Sequence, residues 1–582
     1  MSADRTTAPY GFWTGLFDVG ALFEKPPTPM YPLAHGGLLY WLETRAEEGG
    51  RVVLMQRDAS GNERCLTAAG FSLRSRVHEY GGCPYTLHGG ACYFVNDSDQ
   101  RIYRQSLDGD ATAVAVTPED DGGAARRYID LAVTPEGDYL MCVMECEQPA
   151  GENLNVLAAL RLEPGVVHQP AVIRSGCDFY ANVVLDPGRG RIAWFEWDHP
   201  CMPWDESRAV VASCTRGTDG LRLADVETVA GGANTSVCQL AFDDDGDLLL
   251  AIDGESAPGE PRDYWNLYRR GRDGFTQLTF DEMEYGAPHW VFGDRRYAVL
   301  SDCLLAVRSG PGGDELVAVD KRGEGAERIE CDAVDIRQLS HAGADEALMI
   351  AASADRSPAL TMWKHGRLTP IKGVHELLPA EAVSRPRAIS YVTGGGETAH
   401  AWFYPPCNPH FRAPQGEAPP LLVMVHGGPT SRCSGALDLT RQYWTGIGFA
   451  VLDVNYRGST GYGRTYRQSL LGNWGLSDTE DVARGIEHAA KQGWINPGRV
   501  FIRGRSAGGY AVLCALTRYP DVFAAGACYY GIGNLGTLAQ ITHKFEGRYT
   551  DRLIGEPYRP GAADDPDSRF HSRSPIHGVS RI

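Results

Sequence analysis

From about residue 36 to residue 375 the chain repeats one pattern: a short β-rich run, a turn rich in Asp and Gly, and another β-rich run. Examples are LLYWLETR followed by RVVLMQR, and CQLAFDDDGDLLLAID followed by WNLYRR. Because Asp and Gly tolerate the positive φ of tight turns, the pattern predicts antiparallel hairpins. A spacing of about 40 to 50 residues per four-strand unit is typical of β-propeller blades.

We count about seven such units, which predicts a seven-bladed propeller. We place it at residues 36–378, after an N-terminal extension at residues 1–35. The same strands could instead form a pair of β-sandwiches. No helical pattern interrupts the stretch, and this favours the propeller.

Near residue 380 the pattern changes to apolar runs separated by helical segments. A continuous apolar run indicates a strand that is covered on both faces. Two runs fit this description, LLVMV at 421–425 and GFAVLDVNY at 448–456, and we predict two further strands at RVFIRG (499–504) and AAGACYYG (524–531).

Two segments between these runs have helical periodicity. SDTEDVARGIEHAAKQG places Val482 and Ile486 on one face, and Ser477 with Glu480 three residues later forms a predicted capping box. SAGGYAVLCALTRYP directly follows the predicted strand RVFIRG. Strands that alternate with helices predict a doubly wound, mostly parallel sheet over residues 379–582.

The composition is that of a folded protein with at least two domains. The chain has 582 residues, 43% of them hydrophobic and 22% charged. Its net charge of −19, without a basic tract, argues against nucleic-acid binding. The N-terminus does not resemble a secretion signal, and no apolar stretch is long enough to span a membrane.

Fifteen cysteines are scattered along the chain without a C-x-x-C pair. We therefore expect reduced thiols, a cytoplasmic location, and neither a metal nor an organic cofactor. The sequence leaves the oligomeric state open, a homo-oligomer included.

The segment GRSAGGY at 504–510 places Ser506 between Gly504 and Gly508. In a chain with 69 glycines this spacing alone is weak. Its context is informative, because a predicted strand precedes Ser506 and a predicted helix follows it. That is the setting of a nucleophile elbow, in which a serine is displayed on a sharp strand-to-helix turn.

The tripeptide HGG occurs three times, at His35, His88 and His426. Only His426 follows a predicted buried strand, and the loop after that strand is where an α/β-hydrolase carries its other oxyanion donor. We interpret the first two occurrences as propeller turns.

Several motifs together resemble those of the prolyl oligopeptidase family of serine peptidases, in particular its acylaminoacyl peptidases and bacterial dipeptidyl aminopeptidases. The motifs are HGGP (426–429), NYRGSTGYG (455–463), NWG with its acidic helix (473–481), GRSAGG (504–509) and HKFEGRY (543–549). Three propeller segments also look like this branch: RVHEYGG (76–82), WDHPCMPWD (197–205) and YWNLYR (264–269). The resemblance covers essentially the whole chain.

The resemblance implies a serine exopeptidase or oligopeptidase that acts on short peptides through a Ser506 acyl-enzyme. The backbone N–H groups of Gly428 and Ala507 would hold the oxyanion, and the propeller would act as a size filter. Arg76, Glu79 and His426 are candidate substrate contacts, although an ion pair inside the propeller is an alternative for the first two. An esterase of the same fold and an inactive propeller scaffold are the alternative functions.

The triad acid and base of this family have no counterpart that we can assign. In an α/β-hydrolase they come after later strands, in the order Ser, Asp, His. The residues available after Ser506 follow no convincing strand; they are Asp551, Asp564, Asp565, Asp567, His543, His571 and His577. We therefore expect that residues 1–582 are inactive alone, with an unpaired sheet edge at AAGACYYG, and that the gene encodes a longer enzyme.

Overall fold

The computed structural model describes residues 5–23, 27–108, 112–120, 125–218, 220–373 and 378–582. Seven four-stranded antiparallel sheets follow one another along the chain, and each consists of four consecutive strands. The first strands of most successive sheets contact each other, and the first strand of the first sheet contacts that of the last. The sheets thus form a closed ring, which confirms the seven-bladed propeller and excludes the β-sandwich alternative.

The blades have the following strands, after a short strand β1 (Thr6–Thr7). Blade one is β2–β5 (Met30–His35, Leu38–Arg45, Arg51–Arg57, Glu63–Cys65), and blade two is β6–β9 (Tyr85–His88, Ala91–Val95, Ile102–Ser106, Val114–Ala115). Blade three is β10–β13 (Arg126–Val133, Tyr139–Cys146, Leu154–Arg161, Ala171–Arg174), and blade four is β14–β17 (Phe179–Asp186, Arg191–Trp197, Arg208–Gly217, Gly220–Gly231). Blade five is β18–β21 (Thr235–Phe242, Leu248–Gly254, Arg262–Gly271, Gly274–Gln277), and blade six is β22–β25 (Tyr297–Val299, Cys303–Gly310, Gly313–Asp320, Ala326–Ile329). Blade seven is β26–β29 (Ala333–Gly343, Glu346–Ser353, Ala359–Lys364, Arg367–Lys372).

The first blade begins at Met30, six residues before the predicted boundary at residue 36. The run MYPLAH contains a proline and no clean alternation, so it gave no strand signal of its own. It becomes a strand by pairing with β3, with Leu33 opposite Tyr40. His35 and His88 both lie at hairpin turns of the propeller, as predicted.

The second half of the chain forms a six-stranded sheet in the order β30-β31-β34-β33-β35-β36. Its strands are β30 (Arg387–Val392), β31 (Thr398–Tyr404), β33 (Leu421–Val425), β34 (Ala450–Asn455), β35 (Val500–Arg505) and β36 (Ala525–Tyr529). The pairs β30–β31 and β31–β34 are antiparallel, and the others are parallel. Strand β32 (Phe411–Arg412) lies outside this sheet and pairs with β1.

The helices of this domain are α1 (Leu439–Gly446), α2 (Arg464–Gln468), α3 (Ser477–Lys491), α4 (Ala507–Arg518), α5 (Leu535–Ile541), α6 (Tyr549–Ile554) and α7 (Arg569–Ser572). Short 3-10 turns occupy Val19–Leu22, Ala46–Glu48, Ala380–Ala382, Gly394–Gly396, Lys544–Glu546 and Pro575–Arg581. The predicted capping box of α3 is wrong, because Ser477 is already the first helical residue and no side chain caps Leu476. Glu480 pairs with Arg457 instead.

The central strands are buried on both faces, as their apolar runs predict. Leu421, Val423 and Leu452 join the core that contains α3 and α4. Leu422 and Val451 pack on the opposite face with Trp402. No helix of the described residues is long and apolar enough to cross a membrane.

Candidate active site

Ser506 lies on the turn between β35 and α4, with φ 51° and ψ −123°. This left-handed backbone is uncommon for a residue other than glycine, and such conformations concentrate at functional sites. The residue is exposed, and its side chain has no hydrogen-bond partner among the described residues. Its hydroxyl is therefore displayed at the sheet's carboxyl edge rather than used in packing.

The glycines around Ser506 are required by close backbone approach. A Cβ at position 504 would lie 2.3 Å from the Gly508 carbonyl oxygen, and one at 508 would lie 2.2 Å from that of Val425. Any larger residue at either position would clash with main chain that cannot move independently. The two glycines thus let α4 begin directly against β35 and β33.

The loop at residues 426–433, which follows β33, passes beside this turn. A Cβ placed on Gly427 would be 3.6 Å from the Cβ of Ser506. Within the described part of the chain, neither the Gly428 N–H nor the Ala507 N–H donates a hydrogen bond to the protein. The Ala507 N–H lies in the first turn of α4, where the helix dipole favours negative charge.

His426 is held by its own domain. Its Nδ1 lies 2.8 Å from the Gly427 carbonyl oxygen, and its Nε2 lies 2.8 Å from the Ser459 hydroxyl. The ring stacks on Tyr456 at 4.4 Å between centroids, and burial lowers the pKa of His426 to about 4. Both ring nitrogens are engaged, so these contacts favour a role in fixing the 426–433 loop.

Arg457 also fixes its own segment. Its Nε donates to Asp481 at 3.0 Å, and its backbone N–H donates to the same carboxylate at 2.7 Å. Thr393 donates a third hydrogen bond to Asp481. The acidic start of α3 therefore anchors the segment after β34.

Asp478 is a fully buried carboxyl group in the first turn of α3, which packs against α4. Burial raises the pKa of Asp478 to about 7, and nearby backbone N–H groups only partly oppose this shift. The rings of Trp474 and Tyr510 are both buried, and their centroids lie 4.3 Å apart. The helix α3, which packs against the helix that follows Ser506, thus contains a carboxyl group whose protonated form is favoured by burial.

This carboxyl group predicts a pH-dependent stability. Because the folded pKa lies above the unfolded value of about 3.9, the stabilisation is complete below pH 4 and is lost as the pH rises to about 7. The wild-type chain should lose up to about 1.4 kcal/mol per pH unit across this window relative to Asp478→Asn, which stays neutral. Thermal unfolding midpoints from pH 4 to 8 measure the difference. The exposed Asp564→Asn is the matched control, and parallel curves for wild type and Asp478→Asn would contradict the prediction.

Arg76 and Glu79 form ion pairs within the propeller. Arg76 binds Asp97 at 2.9 Å, and Glu79 binds Arg127 at 2.5 Å. Both acidic–basic pairs are partly exposed, and Glu79 has a positive φ of 65°. The structural alternative raised by the sequence is therefore present, and a substrate contact by either residue stays a prediction.

None of the seven acids and histidines considered for the triad is hydrogen-bonded to the Ser506 hydroxyl in the described structure. His571 and His577 stack on each other at 3.7 Å between centroids. Asp565 pairs with Arg559, and the Asp551 carboxylate accepts from the Tyr558 backbone N–H. Asp564 and Asp567 are exposed, and His543 packs against Tyr80 at 5.3 Å between centroids. That all seven residues lie outside a triad stays a prediction.

A cavity of about 690 Å³ lies between the two domains and reaches the elbow. Gly427, Gly504 and Arg505 line it on one side, and Asp335 and Ile350 of blade seven line it on the other. The propeller therefore contributes one wall of a half-open cavity that reaches Gly504 and Arg505, directly before Ser506.

Buried ion pairs join the domains across this interface. Arg464 of α2 binds Asp253 of β19 at 2.8 Å, and Arg467 binds the same carboxylate and also Glu284 at 3.3 Å. Arg467 and both acidic side chains are at most 1% exposed. The guanidinium of Arg467 lies 3.9 Å from the ring centre of Trp265. Local sequence patterns do not predict this network, because each arginine lies more than 180 residues from the acidic residue that it binds.

An aromatic cluster forms a second part of the interface. Phe545, from the HKFEGRY segment, is 1% exposed and inserts among propeller rings. Its ring centroid lies within 6.4 Å of six of them: His78, Tyr80, Phe179, Trp197, Trp204 and Trp290. Trp197 and Trp204 are both buried.

Comparison with known proteins agrees with this architecture. Residues 436–577 match the model of the prolyl oligopeptidase family. The chain is 32% identical to a puromycin hydrolase of known structure, with a TM-score of 0.89, over 99% of this chain and 88% of the other. A puromycin-hydrolyzing peptidase from Mycobacterium tuberculosis is 34% identical, with a TM-score of 0.90 and the same coverage.

Curated relatives match over a shorter region. The acylamino-acid-releasing enzyme of Arabidopsis thaliana is 33% identical over 168 residues, which is 29% of this chain and 22% of the relative. Dipeptidyl aminopeptidase BIII of Pseudoxanthomonas mexicana is 37% identical over 172 residues, which is 29% of this chain and 24% of the relative. These matches thus span about a quarter of the length of the curated relatives.

The fold and the site together define an α/β-hydrolase domain joined to a seven-bladed β-propeller. The puromycin hydrolase and the puromycin-hydrolyzing peptidase are each more than 30% identical to this chain, and the match covers 88% of each. This similarity establishes the family. The chain belongs to the prolyl oligopeptidase family of serine peptidases.

Proposed function

We propose that this protein is a serine peptidase that hydrolyses short peptides through an acyl-enzyme formed on Ser506. The observation that carries the proposal is the pairing of an exposed, unbonded Ser506 hydroxyl with two backbone N–H groups that lack acceptors in the described structure. The two N–H groups belong to Gly428, in the loop after β33, and to Ala507, at the start of α4. These are the two elements that carry the oxyanion donors in an α/β-hydrolase.

In this reaction the Ser506 oxygen attacks the scissile carbonyl, and the carbonyl oxygen gains the charge that the two N–H groups neutralise. Collapse of the intermediate expels the amine and leaves an ester on Ser506, which water then hydrolyses. The serine needs a general base to accept its proton. We assign that role to none of the described histidines, because none is hydrogen-bonded to Ser506.

We infer that the substrates are short, because the propeller forms one wall of the cavity beside the elbow and narrows access to it. The relatives' names support a preference for aminoacyl or acylaminoacyl bonds, since they include an acylamino-acid-releasing enzyme and a dipeptidyl aminopeptidase. The puromycin hydrolases support the release of a single amino acid from an amide.

A fluorophosphonate probe tests the nucleophile directly. Treatment of the full-length gene product should attach one probe per chain, and peptide mass mapping should locate it in the peptide that contains Ser506. Label elsewhere, or none on an active preparation, would contradict the assignment. An inactive preparation that binds a stable protein partner would instead support the scaffold alternative.

A substrate panel separates the peptidase from an esterase of the same fold. The panel contains aminoacyl amides, dipeptidyl amides, N-acetylated peptides and the matching acyl esters. We expect cleavage of at least one amide class with a kcat/KM that rises when the acyl group is aminoacyl. Hydrolysis of esters alone would favour the esterase.

We further infer a reducing compartment such as the cytoplasm, because all fifteen cysteines are unpaired. Short peptides are the proposed partners. The net charge of −19 supports neither nucleic acid nor an anionic membrane surface as a partner.

A further inference from the structure

The propeller holds the 426–433 loop at two points, and both points follow Gly428 closely. The first contact is a hydrogen bond from the indole N–H of Trp290 to the Thr430 carbonyl oxygen, at 2.7 Å. The second is the ion pair of Arg432 with Asp314 of blade six, at 2.5 Å. These contacts join residues from different domains, 140 and 118 positions apart in sequence.

The indole of Trp290 is oriented by the rings around it. Trp204 lies 4.6 Å away between centroids, Tyr80 lies 5.5 Å away, and Phe545 lies 5.9 Å away. Because neighbouring rings constrain the indole on several sides, its N–H has little freedom to point elsewhere. The Thr430 hydroxyl is also hydrogen-bonded to Tyr549, a residue of the same cluster.

The Asp314 anchor is equally constrained. Its side chain is fully buried, and it accepts hydrogen bonds from the Ser309 hydroxyl at 2.6 Å and from the Ile336 backbone N–H at 2.9 Å. The guanidinium groups of Arg432 and Arg296 hold the pKa of Asp314 well below its usual range, against the effect of burial. Arg432 therefore meets a fixed, ionised partner.

The hydrolase domain also holds the loop, both near Gly428 and at its end. There the Ser431 carbonyl oxygen accepts from the Thr460 backbone N–H at 2.9 Å, and the Cys433 backbone N–H donates to Asn455 at 2.8 Å. The Tyr456 hydroxyl donates toward the carbonyl oxygens of His426 and Pro429 at 3.2 Å, and the His426 ring is bonded as described above. Gly428 lies between the Tyr456 contacts at His426 and Pro429, and the propeller contacts at Thr430 and Arg432 follow within four residues. As a glycine with a φ of 123°, it has no side chain to restrain its peptide. The direction of its N–H thus depends on both sets of contacts.

We propose that the propeller is a positioning element for the reaction, with Trp290 and Asp314 setting the direction of the Gly428 N–H when the domains are closed. This inference rests on the proposed function, because it concerns the donor that would hold the oxyanion of the Ser506 reaction. Trp290 is a positioning residue, since it acts through Thr430. The propeller would then both restrict access and complete the site.

The test is Trp290→Phe in the full-length gene product, with Trp197→Phe as the matched control. Both substitutions remove an indole N–H from the same aromatic cluster and retain a ring. The Trp197 N–H has no partner among the described residues, whereas that of Trp290 holds the loop. Since loss of an oxyanion donor lowers kcat about 10²- to 10³-fold, a misdirected donor should lower kcat about tenfold in Trp290→Phe, with KM within about twofold of wild type.

A peptide aldehyde gives a readout that a merely structural role would not change. The aldehyde adds to the serine and places its oxygen in the oxyanion position, whereas the product peptide binds without that step. Trp290→Phe should weaken aldehyde inhibition about tenfold and leave product inhibition unchanged. Asp314→Asn removes the charge at the second anchor. It should likewise weaken inhibition by the aldehyde and leave inhibition by the product unchanged.

The outcomes separate the two hypotheses. Equal kcat values for Trp290→Phe and Trp197→Phe, or equal weakening of aldehyde and product, would overturn the positioning role. Full activity of Ser506→Ala would instead overturn the proposed function. If Trp290→Phe unfolds at a lower temperature than Trp197→Phe, Asp314→Asn and the aldehyde-to-product ratio still decide the question.

Discussion

Ser506→Ala is expected to lower kcat of the full-length gene product by roughly 10⁴- to 10⁶-fold on any amide substrate that it cleaves. Loss of the nucleophile in a serine protease has an effect of about this size, and the remaining activity comes from the oxyanion donors and substrate binding. Both proposed donors, Gly428 and Ala507, belong to the backbone, so the substitution leaves them in place. Steady-state rates against enzyme concentration measure the effect.

The substitution should leave the fold intact. Ser506 is exposed, its hydroxyl has no partner among the described residues, and alanine experiences a similar backbone strain at φ 51°. The exposed turn residue Ser60 provides the matched control as Ser60→Ala, with wild-type activity expected. A Ser506→Ala variant that retains more than about a tenth of wild-type kcat would rule out the acyl-enzyme route.

Arg467→Met is expected to destabilise the protein by about 3–5 kcal/mol, the usual effect of removing one partner from a buried ion pair. The variant would leave Glu284 without a cation, and Asp253 would keep only Arg464. Burial already raises the pKa of Glu284 to about 7, with Arg467 opposing the shift, so loss of the guanidinium favours the protonated carboxyl further. Methionine retains apolar contact with Trp265, and the charge is therefore the main change.

The midpoint of urea unfolding, followed by tryptophan fluorescence, measures this loss. Arg484→Met is the control, because Arg484 forms an exposed i,i+3 pair with Glu487 in α3. Exposed pairs of this kind contribute about 0–1 kcal/mol, so the control midpoint should stay near that of wild type. Similar midpoints for the two variants would show that the interdomain ion pairs contribute little.

The sequence predicts those features that one stretch of chain determines by itself. LLVMV marks β33 residue for residue, since burial on both faces leaves no polar position in the run. The elbow follows from Gly504 and Gly508, whose spacing reflects a local strand-to-helix turn. The propeller follows from repetition, because each blade repeats the same four-strand pattern.

Contacts between distant segments could not be predicted in this way. Hydrophobic periodicity tells which face of a segment is buried, but not which partner covers it. The bond from Trp290 to Thr430 and the pair of Arg467 with Asp253 depend on how the two domains dock. Ser477 and Glu480 form no capping box for a local reason: Ser477 is already the first helical residue, and Glu480 pairs with Arg457. The placement of the domain boundaries at residues 35 and 378 stays a prediction, and residues 374–377 lie outside the described residues.

The left-handed backbone at Ser506 lowers the stability of the fold, and it also displays the hydroxyl that the proposed reaction needs. Glycine would adopt φ 51° without the steric penalty of a Cβ, which is about 1 kcal/mol or more for other residues. Selection for a long-lived fold alone would therefore favour glycine at 506. Under the proposed function, the need for a nucleophilic hydroxyl accounts for a serine at a position where glycine would be the more stable residue.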